Sequence, residues 1–145
     1  VEMVLSRFGE DLTGKVFAIW GLSFKPNTDD MREAPSLVVI KALSKRGATI
    51  RAYDPVAKTE AQKQFDDTPS FEFVDDLYDA VDQSDALLLL TEWKEFRAPD
   101  FQQLEQKLIS KGIFDGRNVF DPKAVAMHNL SYYSIGRRPV LAEPQ

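Results

Sequence analysis

The sequence predicts an α/β fold, a Rossmann-like, doubly wound and mainly parallel sheet of about six strands with helices on both faces. Two apolar runs support this prediction, the segment 16–20 (VFAIW) and the four leucines of 87–90. Apolar runs without alternation are typical of parallel strands buried on both faces. Amphipathic segments separate these and other short apolar stretches, so strands alternate with helices along the chain.

The remaining elements follow from turn residues and hydrophobic spacing. Gly47 follows an amphipathic segment that begins after Pro35, and Asp100 and the Asp121–Pro122 pair mark later helix starts. Strands are predicted at 15–20, 48–53, 70–74, 85–90, 112–115 and 131–135. Helices are predicted at 36–46, 56–65 and 75–83, from Asp100, and from 122 to about 129, with Asp75 and Asp76 as helix-start residues.

Three segments organise the chain. Residues 1–14 are interpreted as the end of a helix that continues upstream plus a linker, 15–138 as the main domain, and 139–145 as a polar tail. Because the N-terminus reads as the middle of a helix, we expect a fragment of a longer protein.

Composition excludes several functions. A net charge of −5 leaves no basic surface for nucleic acid or membranes, and no apolar run approaches the roughly 18 residues of a membrane span. The absence of cysteine excludes disulfides, thiolate metal sites and a cysteine nucleophile within this chain. The single histidine, His128, has no nearby ligand or triad partner and is expected to be structural or solvated. We predict no metal site.

Charged and aromatic side chains follow two predicted strands. Phe24, Lys25 and Arg32 lie in the loop after the first strand, and Arg117 follows the fifth. Ligands of open α/β sheets bind outside the carboxyl ends of the strands. An aromatic ring and cations beside a helix start suit an anion attached to a flat ring, such as a nucleotide diphosphate. The alternative is a solvated crossover loop, and residue chemistry alone leaves both open.

Two other features have competing interpretations. The loop after Gly21 lacks the three spaced glycines of a dinucleotide fingerprint. Asp54, after the second strand, either holds a ribose or caps a helix beginning at Pro55, and the cap is favoured. Trp93 and Phe96 either cover the edge of the sheet or shape a cleft against another domain.

Three motifs resemble the C-terminal domain of the UDP-glucose/GDP-mannose dehydrogenase family. They are GLSFKPNTDDMREAPS at 21–36, TEWKEF at 91–96 and FDGRN at 114–118, in the family's order. The sequences of these motifs are most similar to those of family members that oxidise UDP-glucose to UDP-glucuronate. Enzymes for GDP-mannose and UDP-N-acetylmannosamine share the same domain arrangement.

The resemblance implies roles for individual residues. Phe24, Lys25 and Arg117 would bind the nucleotide sugar, and Arg32 would reach NAD bound to another domain. The catalytic groups of the family, including a cysteine, lie outside this segment, so no catalytic residue is expected here.

The resemblance also implies partners. These are NAD, an N-terminal NAD-binding domain of the same protein, and a second copy in a homodimer, in the cytoplasm. Two other functions remain open at this point. One is a free-standing nucleotide-binding or regulatory module without catalysis, and the other is a pure assembly domain.

Overall fold

The computed structural model describes residues 1–135 and 139–141, and the rest of the predicted tail lies outside these residues. The described chain forms one six-stranded sheet with six α-helices and one 3-10 turn, Lys94–Phe96. The strands are β1 Val16–Trp20, β2 Thr49–Tyr53, β3 Phe71–Phe73, β4 Ala86–Leu89, β5 Gly112–Asp115 and β6 Ser131–Ser134. The helices are α1 Glu2–Phe8, α2 Pro35–Lys45, α3 Lys58–Gln64, α4 Leu77–Val81, α5 Phe101–Lys107 and α6 Pro122–Met127.

The sheet is doubly wound, as predicted. Its strand order is β3-β2-β1-β4-β5-β6, and all five neighbouring pairs are parallel. The chain moves outward from β1 to β3 and then returns to place β4 beside β1, so the order reverses between these two strands. Because every strand points the same way, all the loops that follow strands lie at one edge, the carboxyl edge of the sheet.

Alternating strand residues divide the interior into two cores. Phe17 and Ile19 face the first core, which α1, α2 and α3 cover, whereas Ala18 and Trp20 face the second, with α4, α5 and α6. The leucine run of β4 alternates in the same way. Apolar side chains point to both faces of the central strands, which explains why those strands read as continuous apolar runs.

Most predicted helix starts are confirmed. Asp76, Asp100 and Asp121 each accept backbone N–H groups at the start of α4, α5 and α6. Pro35 and Pro122 occupy first helical positions, where the missing N–H costs nothing.

One predicted helix begins later than expected. The cap prediction placed a helix start at Pro55, but α3 begins at Lys58. One oxygen of Asp54 accepts the N–H groups of Val56 and Ala57, both at 2.9 Å. These bonds close a turn in place of a first helical turn, so Asp54 does not cap a helix that begins at Pro55.

The opposite edge of the sheet has its own polar contacts. Asp85 is buried, accepts the Val16 N–H at 2.9 Å and lies 3.4 Å from the hydroxyl of Ser110. Ser84 donates its hydroxyl to the carbonyl of Ala80 at 2.6 Å. These contacts join the starts of β1 and β4 to the end of α4.

The described part of the predicted tail is paired with the sheet. Val140 and Tyr132 exchange two backbone hydrogen bonds, of 2.7 and 2.9 Å, as an antiparallel bridge beside β6. In the part of the chain that the structure describes, no helix has both the length and the apolar composition needed to cross a membrane.

Candidate functional site

The loop between β1 and α2 is fastened to the end of β4. The Thr91 hydroxyl donates a buried hydrogen bond of 2.7 Å to the carbonyl of Ser23. Gly21 approaches Thr91 so closely that a Cβ at position 21 would lie 2.6 Å from the Thr91 Cβ, and its φ is +95°. Glycine is therefore required here for a close approach and for a backbone angle that other residues rarely adopt.

Asp54 fastens the same loop from β2. Its second carboxylate oxygen accepts the N–H groups of Leu22 at 2.8 Å and Ser23 at 3.3 Å, and the residue is only 3% exposed. Both Asp54 oxygens already accept backbone N–H groups, and the loop has side chains where a dinucleotide fingerprint has glycine. The loop therefore does not fit NAD bound in the usual way.

Phe24 and Lys25 project from this fastened loop. The backbone N–H of Phe24 donates to the carbonyl of Asp30 at 2.8 Å, and the Ser23 hydroxyl donates to the Lys25 carbonyl at 2.9 Å. The Phe24 side chain is nevertheless 49% exposed and Lys25 is exposed as well. An ordered backbone therefore presents an aromatic ring and an ammonium group to solvent.

Arg32 lies on the same loop but is engaged by a neighbour. Its Nε and Nη2 donate to the two oxygens of Asp30 at 3.0 and 2.9 Å. These hydrogen bonds lower the pKa of Asp30 to about 2 and raise that of Arg32. The Arg32 side chain is 88% exposed, so the pair is solvated and breaks at little cost.

Arg117 is fixed at both its backbone and its side chain. Its N–H donates to the buried Asp115 at 2.9 Å. Its guanidinium forms a bidentate pair with Glu92, through Nε to Oε2 and through Nη2 to Oε1 at 3.1 Å. Hydrogen bonding to Arg117 lowers the pKa of Glu92, and the same contact raises the pKa of Arg117. A carboxylate thus holds this cation at the rim of the site.

The structure brings all four predicted site residues to the carboxyl edge in two groups, with Phe24, Lys25 and Arg32 on the β1–α2 loop and Arg117 on the loop after β5. Phe24 and Arg32 line one shallow depression. Arg117 lines a separate groove of about 300 Å³ beside α1 and α2. The groove is mostly apolar, with Met3, Val39, Leu88, Leu90 and Phe114 among its walls. Between the two groups lies the loop that follows β4, which contains Thr91 and Glu92.

The aromatic residues after β4 pack inward. Phe96 is fully buried and stacks on Trp20 with ring centroids 5.3 Å apart, which favours the interpretation that it covers the sheet. Trp93 is 8% exposed, and among the described residues its buried indole N–H has no acceptor. Neither ring lines the two surfaces described above.

The structure offers no metal centre among residues 1–135 and 139–141, where no three His, Asp or Glu side chains cluster suitably. His128 ends α6 and stacks on Phe101 with ring centroids 5.4 Å apart. This contact agrees with the structural role expected for it.

Sequence reasoning missed the residues that support the cations. Asp115 and Glu92 act on Arg117, and Asp54 and Thr91 act on the loop of Lys25. An aspartate that ends a strand and precedes glycine is typical of an Asx turn, so the Asp115–Gly116 pair was the available signal. Glu92 lies within the TEWKEF motif at 91–96, but that motif did not indicate its contact with Arg117.

The fold and this site define a doubly wound α/β domain whose polar loops gather at the carboxyl edge. Residues 18–122 match the UDP binding domain of the UDP-glucose/GDP-mannose dehydrogenase family. The chain belongs to this family, which confirms the resemblance of the three motifs.

Curated relatives agree with this assignment. The chain is similar to the UDP-glucose 6-dehydrogenase of Pseudomonas aeruginosa, with 43% identity over 94% of this chain and 32% of the relative. YwqF of Bacillus subtilis, also named a UDP-glucose 6-dehydrogenase, is 42% identical over 97% of this chain and 31% of its own length. The chain therefore spans about a third of the curated relatives that it matches.

Solved structures agree as well. A UDP-glucose dehydrogenase from Pyrobaculum islandicum superposes with a TM-score of 0.69 at 31% identity, over 81% of this chain and 25% of that one. An NDP-N-acetyl-D-galactosaminuronic acid dehydrogenase from Methanosarcina mazei gives a TM-score of 0.74 at 24% identity, over 94% and 28%. The second likeness concerns the fold alone.

Proposed function

We propose that this chain is the C-terminal, UDP-binding domain of an NAD-dependent UDP-glucose 6-dehydrogenase, which oxidises UDP-glucose to UDP-glucuronate. The observation that supports this most directly is Arg117, whose guanidinium is held by Glu92 and whose backbone N–H is held by Asp115, at the same edge as Phe24 and Lys25. The family assignment supports the choice of a uridine nucleotide.

The three residues suit different parts of a nucleotide diphosphate. Arg117 offers a planar set of donors, and Glu92 occupies only the Nε and Nη2 side, which leaves Nη1 for a ligand oxygen. Lys25 supplies a mobile point charge, and Phe24 an exposed ring. Each charge-assisted hydrogen bond contributes about 1.5–3 kcal/mol. Two such bonds would bind the diphosphate firmly once a second domain excludes water.

In this proposal the chemistry occurs elsewhere. The chain has no cysteine to act as a nucleophile, and we place the reacting groups in a segment outside it. Binding energy gathered at the unreactive UDP end positions the sugar for oxidation. This domain would therefore contribute to turnover through substrate position.

NAD would be bound mainly by another domain. The engaged oxygens of Asp54 and the absence of a glycine fingerprint argue against a dinucleotide site here. Arg32, exposed and only loosely paired, would contact the cofactor from this side. We also propose that the full-length enzyme is a homodimer in the cytoplasm.

Steady-state kinetics of the full-length protein test the proposal. Arg117→Ala or Lys25→Ala should lower kcat/KM for UDP-glucose by roughly 10- to 100-fold, because each removes a charge-assisted contact. Arg32→Ala should raise KM for NAD instead. Lys41→Ala, which removes an exposed cation from α2, is the matched control and should change neither value.

Two results would contradict the proposal. The first is unchanged kinetics for both Arg117→Ala and Lys25→Ala. The second is tight NAD binding by this chain alone in calorimetry, which would indicate an independent dinucleotide-binding module.

A further inference from the structure

We infer that Asp54 and Asp115 are positioning residues, two buried carboxylates that fix the backbones from which Lys25 and Arg117 project. The inference rests on the proposed function, since it concerns the binding of the same nucleotide. In this inference neither carboxylate contacts the nucleotide itself.

Asp115 organises the loop that begins at the end of β5. The residue is fully buried, and one of its oxygens accepts the Arg117 N–H at 2.9 Å. The other oxygen accepts the N–H of Val119 at 2.6 Å, the N–H of Phe120 at 2.9 Å and the hydroxyl of Tyr132 at 2.6 Å. One side chain thus sets the path of the chain on both sides of the exposed Arg117 side chain.

Asp54 performs the same task at the end of β2, on a loop that is distant in sequence. One oxygen holds Leu22 and Ser23, which precede Phe24 and Lys25, and the other holds Val56 and Ala57. The Thr91 hydroxyl holds the Ser23 carbonyl from the opposite side. The stretch before Lys25 is therefore fixed from β2 and β4, the two strands that flank β1.

A carboxylate is required because both oxygens must accept. An asparagine at either position would point an amide N–H₂ at a backbone N–H, and two donors that face each other leave both unsatisfied. At position 115, the orientation that keeps the Val119, Phe120 and Tyr132 contacts loses the one to Arg117. Asp115→Asn is consequently a selective disruption of the Arg117 backbone.

The test is a double-mutant cycle in the full-length protein, with UDP binding measured by calorimetry. Asp115→Asn should weaken UDP binding by about tenfold. In the Asp115→Asn background, Arg117→Ala should reduce UDP affinity far less than it does alone, because a misplaced guanidinium contributes little to binding. KM for NAD should be unchanged. A uniform loss of stability would not produce this coupling.

Matched controls separate positioning from packing. Tyr132→Phe removes one hydroxyl from Asp115 and keeps all three N–H contacts, so UDP affinity should change less than twofold. Asp100→Asn alters a carboxylate that caps α5 through the N–H of Gln102 at 3.1 Å and lies in neither loop, so it should leave UDP affinity unchanged.

Asp54→Asn gives a second, independent cycle with Lys25→Ala, should Asp115→Asn not fold. Amide exchange on the unaltered protein needs no variant. The N–H groups of Arg117 and Leu22 should exchange at least on the order of tenfold more slowly than unstructured amides.

Additive effects of Asp115→Asn and Arg117→Ala, or rapid exchange at both amides, would overturn the inference. Such results, with Arg117→Ala still weakening UDP binding, would leave the proposed function intact. If Arg117→Ala and Lys25→Ala both leave UDP binding unchanged, the proposed function fails, and the inference fails with it.

Discussion

Glu92 and Arg117 form an ion pair whose strength should depend on pH. Hydrogen bonding to Arg117 holds the pKa of Glu92 below its ordinary value of 4.5. A depressed pKa in the folded state stabilises the fold above that ordinary value, and the contribution is lost as the pH falls below it. The side chains are 27% and 35% exposed, so solvent screening limits the pair to less than about 1 kcal/mol.

Glu92→Gln should therefore lower the free energy of unfolding at pH 7 by less than about 1 kcal/mol, and by less still at about pH 3. Urea denaturation at both pH values measures this. Glu60→Gln is the control, since Glu60 lies 3.8 Å from the exposed Lys63 on one helix, and it should have almost no effect at either pH. An equal loss at both pH values would contradict the interpretation.

Arg32 and Asp30 make a second prediction possible at the scale of single residues. The pKa of Asp30 is lowered to about 2, first by the side-chain hydrogen bond from Arg32 and least by the charge of Lys25. Arg32→Gln should return the pKa towards its ordinary value of 3.8, whereas Lys25→Gln should change it little. Carboxyl NMR titration measures both. A larger change in the Lys25 variant would show that the assigned cause is wrong.

Sequence motifs singled out the exposed cations but not the residues that hold them. Phe24, Lys25, Arg32 and Arg117 lie within motifs that can be recognised locally. Two of their supports are distant, since Glu92 is 25 residues from Arg117 and Asp54 is 32 from Leu22. Such contacts exist only after strands pair, and no spacing within one segment encodes them.

At the scale of elements, the fit between the β1–α2 loop and β4 depends on Gly21. Gly21→Ala should destabilise the domain by about 1–3 kcal/mol more than Gly14→Ala. Both glycines have positive φ angles, +95° and +82°, but a Cβ at Gly14 meets nothing within 4 Å, whereas one at Gly21 overlaps Thr91. The comparison therefore isolates crowding from backbone strain, and chemical denaturation measures it. Equal losses would show that the contact with Thr91 is loose.

Elements were predictable where burial decides them. The buried strands β1, β4 and β5 lie within one residue of their predicted bounds, because an apolar run demands two covered faces. Helix α3 was placed too early, because the competing hydrogen bonds of Asp54 close a turn before the helix begins. Side-chain bonds to the backbone of this kind depend on where the carboxylate points, which the sequence does not state.

At the scale of the whole molecule, one sheet serves both cores. Val4 belongs to the first core, whereas both tryptophans, Trp20 and Trp93, belong to the second. Val4→Ala should lower the free energy of unfolding by roughly 1–3 kcal/mol. Because the cores share every central strand, tryptophan fluorescence and far-UV circular dichroism should report the same midpoint shift.

Val38→Ala is the control for that experiment, since Val38 is 68% exposed on α2 and its truncation should leave the midpoint unchanged. Separate transitions by the two probes would indicate that the cores unfold independently.

The edge opposite the proposed site has a practical consequence. Asp85, Ser84 and Ser110 tie the beginnings of the strands together without touching any loop that would meet a nucleotide. Substitutions intended to raise the thermal stability of the domain are best made at that edge. Substitutions at that edge that raise the melting temperature should leave the proposed site unchanged.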